Sequence, residues 1–494
     1  MDKKFNKSSP KEWILILIAT FFMFATRFMP PPEGLSQSGF QVLGILIGGL
    51  ILWLGVAVDW CSLYVLFALM TVPALTVNQV ISASYGNSTA VFLVFCFMMS
   101  ACLIKSGIAK RIAIWFLTNK LARKGPWWTI AMYFLATFVI NSCLSASPGI
   151  MIFLPILTEM LQEIGYEKGK PKGLTIMMMM GTCIVAQAAN AATPIGHAMS
   201  LQGMSTYASM TGSAIGFFEF VATLLPLGFL SAVLWFLIAK FIWRPDVSAL
   251  ANVDFDRLSK STGTVTKKEK VSLFFYAACI ILWILPGLTR YISPDVLAPI
   301  FKPIDQCFPP LVSLFLMNFI RDEEGEKVLD FKDAVKNVNW NMYMFIGSIM
   351  SLGAFLSNTD VGLSTWMSTA LEPLVSGISP LVFFVIMVMF GVIFTQFVAN
   401  AVVIAITFTI AMPLCMGVYA GQINTLAVGL LLTHVAQLAV ATPPSTPTAA
   451  VAGESGWVEL PVMFRWGMLY SVIIGALVCV LGIPLAEMVT SVVG

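Results

Sequence analysis

The chain has 494 residues, of which 58% are hydrophobic and only 11% are charged, and its net charge is +3. Soluble globular proteins carry about 25% charged residues, so this deficit excludes a large soluble core wrapped in a charged surface. Apolar runs of about 18 or more residues recur, and each is long enough to cross a bilayer as a helix. No basic tract with interleaved aromatic residues points to a nucleic-acid partner. The composition predicts an all-α polytopic membrane protein.

The predicted elements, in chain order, begin with an N-terminal segment and first span at 1–37. A first half at 38–243, a polar linker at 244–270 and a second half at 271–494 follow. The predicted transmembrane helices, about 11 in number, lie near 13–30, 38–57, 61–78, 88–106, 172–196, 214–242, 271–288, 300–320, 340–357, 425–452 and 466–490. Two further apolar stretches, 127–163 and 378–416, are broken midway by polar or small residues, which predicts two re-entrant hairpins.

The lysine and arginine residues are unevenly distributed between the predicted loops. They cluster in residues 3–11, 105–124, 168–172, 244–270 and 321–336. Because cytoplasmic loops of membrane proteins are enriched in these residues, we expect a cytoplasmic N-terminus, an extracytoplasmic C-terminus and a location in the plasma membrane. The same count of spans makes the first hairpin enter from the cytoplasm and the second from outside.

A similar phrase occurs once in each half of the chain. VAQAANAATPIG begins at Val185, and VAQLAVATPPST begins at Val435. Both lie in apolar segments, 172–196 and 425–452, and each follows a predicted hairpin. Because the two hairpins enter from opposite sides, the halves form an inverted two-fold repeat, which is a recurrent design of secondary transporters.

The phrase predicts a break in each helix, because Pro194 and Pro443 remove a backbone N–H and clash with the preceding turn. Unwound backbone survives in a membrane only where protein or a water-filled cavity surrounds it. Freed carbonyls can ligate a sodium ion, and the N-termini of half-helices can bind an anion. We therefore predict that the two breaks face a common binding site for a small anion.

The charge pattern bears on how this anion is held. No lysine or arginine occurs between Lys336 and Arg465, a stretch that contains half of the predicted site. The anion must then be bound by dipoles, hydroxyls, amides and co-bound cations. Oxygen ligands from serine, threonine, asparagine and carbonyl groups suit an alkali cation, so the pattern favours sodium coupling.

Several segments together resemble the divalent anion/sodium symporter family over nearly the whole chain. They are PPPEGLSQSGFQVLGILIGGLILWL from Pro30, IKSGIAKRIAIWF from Ile104, WNMYMFIGSIMSLGAFLSNTDVGLSTWM from Trp340, ATPIG from Ala192 and ATPPS from Ala441. The resemblance implies a homodimer whose protomers each have a scaffold domain and a transport domain that moves like an elevator. It implies dicarboxylate, tricarboxylate or sulfate substrates, with sodium symport in many members and exchange in others.

The sequence departs from this family at the hairpin tips, where the family places Ser-Asn-Thr to bind sodium and substrate carboxylates. The second tip reads Ala399-Asn400-Ala401, which keeps the asparagine and loses both hydroxyls. Thr395 matches a sodium-site threonine of the family. The first tip has two interpretations: Asn141-Ser142 by the internal repeat, or Ser145-Ala146-Ser147 by the distance to the following Leu-Pro-Ile.

These observations predict a carrier of small organic anions, most simply di- or tricarboxylates, with sodium as the coupling ion and no other cofactor. The alternatives are a sodium-independent exchanger, a carrier of a monocarboxylate or sulfate-like anion and, less favoured, a channel. No nucleophile–base pair, phosphate loop or metal signature suggests an enzyme. The expected substrate-binding residues are Asn141, Ser142, Ser145, Ser147, Thr193, Pro194, Asn400, Ala401, Thr442, Pro443, Ser445 and Thr446. The expected sodium-binding residues are Asn141, Ser145, Gly196, Thr395, Asn400 and Ala441.

Four other polar residues lie near the two breaks. Gln187 and Gln437 occupy matching places in the repeat, where they either hydrogen-bond between helices or contact substrate. His197 directly follows TPIG, and His434 precedes the second break, so the two histidines are not equivalent and do not suggest a paired metal site. Because a histidine at membrane depth is costly, either one is a candidate for proton coupling.

Overall fold

The computed structural model describes residues 10–260, 263–301 and 303–491, apart from the side chains of Ala146, Ser147, Leu258, Ser259, Lys260 and Pro444. The described part is helical, with one isolated β-bridge between Arg321 and Lys327. This agrees with the all-α class that the composition predicts.

The first half of the chain forms a series of helices joined by short turns. Its helices are α1 Pro10–Ala25, α2 Gln37–Gly55, α3 Trp60–Met70, α4 Val77–Ala83, α5 Ser88–Ser106, α6 Ile108–Thr118, α7 Pro126–Asn141, α8 Ala146–Glu163, α9 Gly173–Asn190, α10 Ala198–Thr211, α11 Phe217–Leu237 and α12 Phe255–Lys260. A π-helical turn extends α11 to Trp243.

The second half has the same character. Its helices are α13 Lys267–Ile292, α14 Leu297–Phe301, α15 Phe308–Met317, α16 Phe331–Lys336, α17 Trp340–Leu356, α18 Leu363–Val375, α19 Pro380–Phe394, α20 Asn400–Met416, α21 Thr425–Val435, α22 Pro447–Glu454, α23 Leu460–Leu477 and α24 Ile483–Thr490. A π-helical turn joins α23 to α24.

Within the described residues, six helices are long and apolar enough to cross a bilayer, or seven if the bent pair α18–α19 is one span. Other apolar helices, such as α20 and α21, are shorter, with 17 and 11 residues. At about 1.5 Å per residue, an 11-residue helix does not span a hydrocarbon layer of about 30 Å. The larger count of spans therefore stays a prediction, and α18 is a helix that the sequence analysis did not predict.

Both stretches interpreted as hairpins fold back on themselves. In the first, the Tyr133 hydroxyl on α7 lies 3.4 Å from the Phe153 carbonyl on α8, and the two rings pack edge to face. In the second, a Cβ at Gly391 on α19 would lie 3.8 Å from Thr407 on α20. Each pair of helices is therefore antiparallel. The side of the membrane from which each pair enters stays a prediction.

The helices pack into two groups. In one, α17 contacts α2, α3 and α5, and α13 contacts α5 and α15. In the other, α9 contacts α7, α8 and α11, while α21 contacts α19, α20 and α24. Helix α10 lies between the groups, since it contacts α17, α20 and α21. The site described below forms along this junction.

Ion pairs fasten the polar segments to the helix ends. Arg111 Nε donates to Glu269 at 2.9 Å, and its terminal nitrogens donate to the carbonyls of Gly263 and Thr264 in the linker. Lys105 donates to Asp333, and this hydrogen bond lowers the pKa of the exposed Asp333 carboxyl. The linker carries only short helical segments and no folded domain in its described part.

Candidate functional site

The hairpin tips are defined by where their helices end. Helix α7 ends at Asn141, and Ser145 is the N-cap of α8. Helix α19 ends at Phe394, and Ala399 is the N-cap of α20. Aligning the two N-caps places Ser145-Ala146-Ser147 at the positions of Ala399-Asn400-Ala401. The helix ends thus favour the second interpretation of the first tip; the Ser147 side chain lies outside the described part of the structure.

Each broken segment is fastened to its own hairpin by the threonine that precedes the proline. The Thr193 hydroxyl donates to the Ser142 carbonyl at 2.6 Å and accepts the Gly196 N–H at 3.0 Å. The Thr442 hydroxyl donates to the Gln396 carbonyl. The two threonines therefore make the same kind of contact in the two halves, and their hydroxyls are used within the protein.

The helices end before the prolines that were expected to stop them. Helix α9 ends at Asn190, about one turn before Pro194, and α21 ends at Val435, about two turns before Pro443. The unwound segment is therefore longer than the sequence predicted, above all in the second half. Its freed backbone groups need partners, because buried unpaired N–H and C=O groups are costly.

Gln396 supplies those partners in the second half. Its amide nitrogen donates to the carbonyls of Val392 at 2.8 Å and Leu438 at 3.0 Å. Its amide oxygen accepts the N–H groups of Val440 at 2.9 Å and Ala441 at 3.0 Å. One buried side chain thus hydrogen-bonds three backbone groups of the unwound segment. The sequence analysis missed Gln396, since a single glutamine in an apolar run belongs to no motif.

Three oxygen atoms converge beside the second tip. The Thr395 hydroxyl lies 2.5 Å from the Ala436 carbonyl and 2.9 Å from Asn400 Oδ1. A hydroxyl has one hydrogen and can donate only once, so one of these two contacts brings two acceptors together. A cation among the three oxygens would relieve the electrostatic repulsion between the two acceptor oxygens. Hard oxygen ligands suit an alkali cation.

The first half has buried oxygens without a partner among the described residues. Asn141 donates to the Thr137 carbonyl at 2.8 Å and Asn190 to the Ala186 carbonyl at 2.7 Å, but neither Oδ1 has a hydrogen bond. Buried polar atoms are normally paired with protein, water or an ion. These two oxygens, in segments joined by Thr193, are therefore candidate ligands for a cation or an ordered water.

A cavity of about 340 Å³ lies where the two halves meet. It is lined by Val58, Phe97, Ser145, Pro148, His197, Ala198, Met199, Asn337, Asn339, Met342, Ala399, Asn400, Ala401, Ser445, Thr446 and Pro447. Both hairpin tips and the residues after both breaks contribute to the lining. The remaining lining residues, from the α2–α3 turn, α5 and the start of α17, were not predicted. The described lining of the whole cavity contains no lysine, arginine, aspartate or glutamate.

Among the described helices, five begin at this cavity. The lining includes first-turn residues of α8, α10, α17, α20 and α22, for example Pro148, Met199, Met342, Asn400 and Pro447. A helix N-terminus carries about half a positive charge and N–H groups without intrahelical acceptors. Their convergence creates a positive potential without basic side chains, and this arrangement suits an anion.

The expected site residues divide into two sets by their position. Ser145, Asn400, Ala401, Ser445 and Thr446 line the cavity. The others are not in the lining: Asn141, Ser142, Thr193, Pro194, Gly196, Thr395, Ala441, Thr442 and Pro443, while the Ser147 side chain lies outside the described part. In the second set, Thr193 and Thr442 hold the backbone of the tips, and the oxygens of Asn141 and Thr395 are candidate cation ligands.

The remaining polar residues differ in their roles. The Ser200 hydroxyl donates to Gln437 Oε1 at 3.2 Å, which supports an interhelical hydrogen bond for this glutamine. Both amide atoms of Gln187 are buried without a partner in the described part. Nδ1 of His434 lies 3.1 Å from the Ala191 carbonyl and away from the cavity, whereas His197 lines the cavity.

Comparison with known proteins places this geometry in a family. The family described as "Sodium:sulfate symporter transmembrane region" matches residues 10–492. A protein of Staphylococcus saprophyticus named sodium-dependent dicarboxylate transporter SdcS is 23% identical, over 98% of this chain and 94% of its own length. The putative malate transporter YflS of Bacillus subtilis is 21% identical, with 78% of this chain and 77% of that protein covered.

Two further relatives extend the comparison. The L-tartrate/succinate antiporter of Escherichia coli K12 is 22% identical over 81% of this chain and 79% of its own length. The crystal structure of the Alcanivorax borkumensis YdaH transporter superposes with a TM-score of 0.53 at 10% identity, covering 98% of both chains, and supports the fold alone. The chain therefore belongs to the sodium:sulfate symporter family, and it is an integral membrane protein of a family of transporters, not an enzyme.

Proposed function

We propose that this protein is a secondary active carrier of small organic dianions of the dicarboxylate type. One observation carries the proposal: the N-termini of five described helices meet at a cavity of about 340 Å³ whose described lining has no charged residue. This volume lies in the range of about 300–1,000 Å³ that is usual for small-molecule sites. The names of the dicarboxylate and malate relatives support the substrate class.

We further propose that sodium is the coupling ion. In the second half the oxygens of Thr395, Asn400 and Ala436 form one candidate site. In the first half the buried oxygens of Asn141 and Asn190 are candidates for another. Because the cavity lacks basic side chains, bound sodium would offset the substrate charge. The proposal includes the homodimer and the elevator movement. Size-exclusion chromatography with light scattering would test the homodimer. Labelling of the Ser445→Cys variant from each side of the membrane would test the elevator movement.

A sodium-independent exchanger is the second candidate, because one relative is named an antiporter. The two functions differ in one measurement. In proteoliposomes with an inward sodium gradient, we expect concentrative, saturable uptake of labelled succinate or malate, and we expect choline replacement to abolish it. Uptake that is unchanged in choline and requires internal dicarboxylate would support exchange instead. Flux that neither saturates nor shows counterflow would indicate a channel.

The sodium site in the first half gives a sharper prediction. A Cβ at Gly149 would lie 1.8 Å from Asn141 Oδ1, so Gly149→Ala must displace that oxygen. We expect the sodium concentration for half-maximal uptake to rise about 10-fold, the effect of losing about 1.4 kcal/mol of binding. Gly353→Ala in α17 is the matched control, since its Cβ would meet nothing nearer than 3.6 Å. An unchanged sodium dependence in Gly149→Ala would argue against Asn141 as a ligand.

A further inference from the structure

His197 stands at the junction of the first break and the cavity. It is the N-cap residue of α10, and its Nδ1 accepts the backbone N–H of Met199 at 3.1 Å. The ring is partly buried and lines the cavity. The side chain therefore has two roles. Its Nδ1 caps the start of α10, and the rest of the ring borders the space in which we propose that the anion binds.

The cap determines which nitrogen of His197 carries the proton. Because Nδ1 accepts a hydrogen bond, its lone pair is occupied there, and the neutral ring carries its hydrogen on Nε2. Nε2 has no hydrogen-bond partner among the described residues. The imidazole thus presents one N–H donor that the protein does not use.

Most other polar groups that line the cavity are already engaged. The hydroxyls of Ser445 and Thr446 donate to the carbonyls of Thr442 and Ala439. Asn339 caps α17, and Asn337 donates to the Asp333 carbonyl. In the described lining, the side-chain N–H groups without a protein acceptor are Nε2 of His197, Nδ2 of Asn400 and Nδ2 of Asn339, and the Ser145 hydroxyl makes no cap hydrogen bond. Of these, His197 follows the first break and Asn400 lies at the second hairpin tip, so they come from opposite halves of the chain.

We propose that His197 donates a hydrogen bond from Nε2 to one carboxylate of the transported anion, while Asn400 donates to the other. This inference rests on the proposed function and narrows it, because neutral donors from the two halves of the chain can each bind one end of a molecule that has an anionic group at each end. A monocarboxylate satisfies only one of them. His197 is then a determinant of specificity that acts as a neutral donor.

Two substitutions separate the cap from the donor. In His197→Asn the Oδ1 atom can replace Nδ1 as the cap acceptor, but no N–H reaches the place of Nε2. In His197→Gln the amide nitrogen reaches the place of Nε2, but the cap is lost. A hydrogen bond to a charged group is worth a factor of about 10 to 150 in affinity. We expect the asparagine variant to lose succinate affinity by about that factor and keep its melting temperature.

We expect the opposite from His197→Gln: a lower melting temperature and a smaller loss of succinate affinity than in His197→Asn. Affinities for succinate and for butyrate, measured as inhibition of uptake in proteoliposomes, give the selectivity. The ratio of the two should fall in His197→Asn, because butyrate has no second carboxylate to lose a donor. His197→Ser, which keeps a capping oxygen and lacks the ring, should repeat the asparagine result if one variant does not fold.

The experiments distinguish a failure of the role inferred for His197 from a failure of the proposed function. If the wild-type protein transports dicarboxylates but His197→Asn keeps both affinity and selectivity, the role of His197 is overturned and the proposed function stands. A parallel loss of stability and affinity in both variants also overturns that role, since this pattern describes a helix cap alone. If the wild-type protein neither binds nor transports succinate or malate, the proposed function itself is wrong.

Discussion

Asn400→Ala is expected to reduce the affinity for the transported anion about 10- to 150-fold, as for a lost hydrogen bond to a charged group. Asn400 is the first residue of α20, and its buried side chain lines the cavity. Its Oδ1 lies 2.9 Å from the Thr395 hydroxyl, which leaves the Nδ2 group as a donor toward the cavity. The alanine variant removes both groups, so the apparent sodium affinity should fall as well. Uptake at varied substrate and sodium concentrations measures both effects.

Asn400→Asp separates the two roles of this side chain. It keeps an oxygen toward Thr395 but replaces the amide donor by an anionic oxygen that repels the substrate. We expect a larger loss of anion affinity than in Asn400→Ala and a smaller loss of sodium affinity. Asn318→Ala is the control outside the site, because Asn318 is the C-cap residue of α15, donates to the Leu314 carbonyl and does not line the cavity. Transport by Asn400→Ala at the wild-type level would contradict our placement of the site.

The parts of this site that the sequence predicts are those with a local signature. The two hairpins follow from apolar stretches that are interrupted midway, and antiparallel helix pairs occupy both places. The paired Thr-Pro phrases identify segments that leave helical geometry in both halves. Each of these features is encoded in a few neighbouring residues.

The features that the sequence does not predict depend on contacts between distant segments. A Pro removes hydrogen bonds only near itself, so it indicates an interruption but not its length. Helix α21 ends well before Pro443 because Gln396, more than 40 residues away, binds the unwound backbone. The unpredicted part of the cavity lining also depends on distant segments, since Phe97 belongs to α5 and Asn339 precedes α17. No periodicity within one segment carries such information.

Gln396→Leu is expected to destabilise the fold more than any other substitution considered. Leucine has a similar size but removes the amide, so Leu438 C=O, Val440 N–H and Ala441 N–H lose their partner in a buried region. Each buried unsatisfied group costs about 1–3 kcal/mol, so three such groups cost about 3–9 kcal/mol. That range is comparable to the whole stability of many proteins, about 5–15 kcal/mol. We expect a large fall in the melting temperature in detergent and in the yield of folded protein.

Gln396→Glu tests whether the loss arises from hydrogen bonding instead of volume. Glutamate keeps the oxygen that accepts from Val440 and Ala441, but it loses the donor to Leu438 and places either a charge or an unsatisfied proton in a buried site. We therefore expect destabilisation in both variants, whereas the exposed Gln422→Leu should keep the wild-type melting temperature. The Thr442 hydroxyl also donates to the Gln396 carbonyl. We therefore expect a displacement of Gln396 to shift the second hairpin tip, including Asn400. Wild-type stability in Gln396→Leu would show that the unwound segment finds other partners, and the support that we assign to Gln396 would then be wrong.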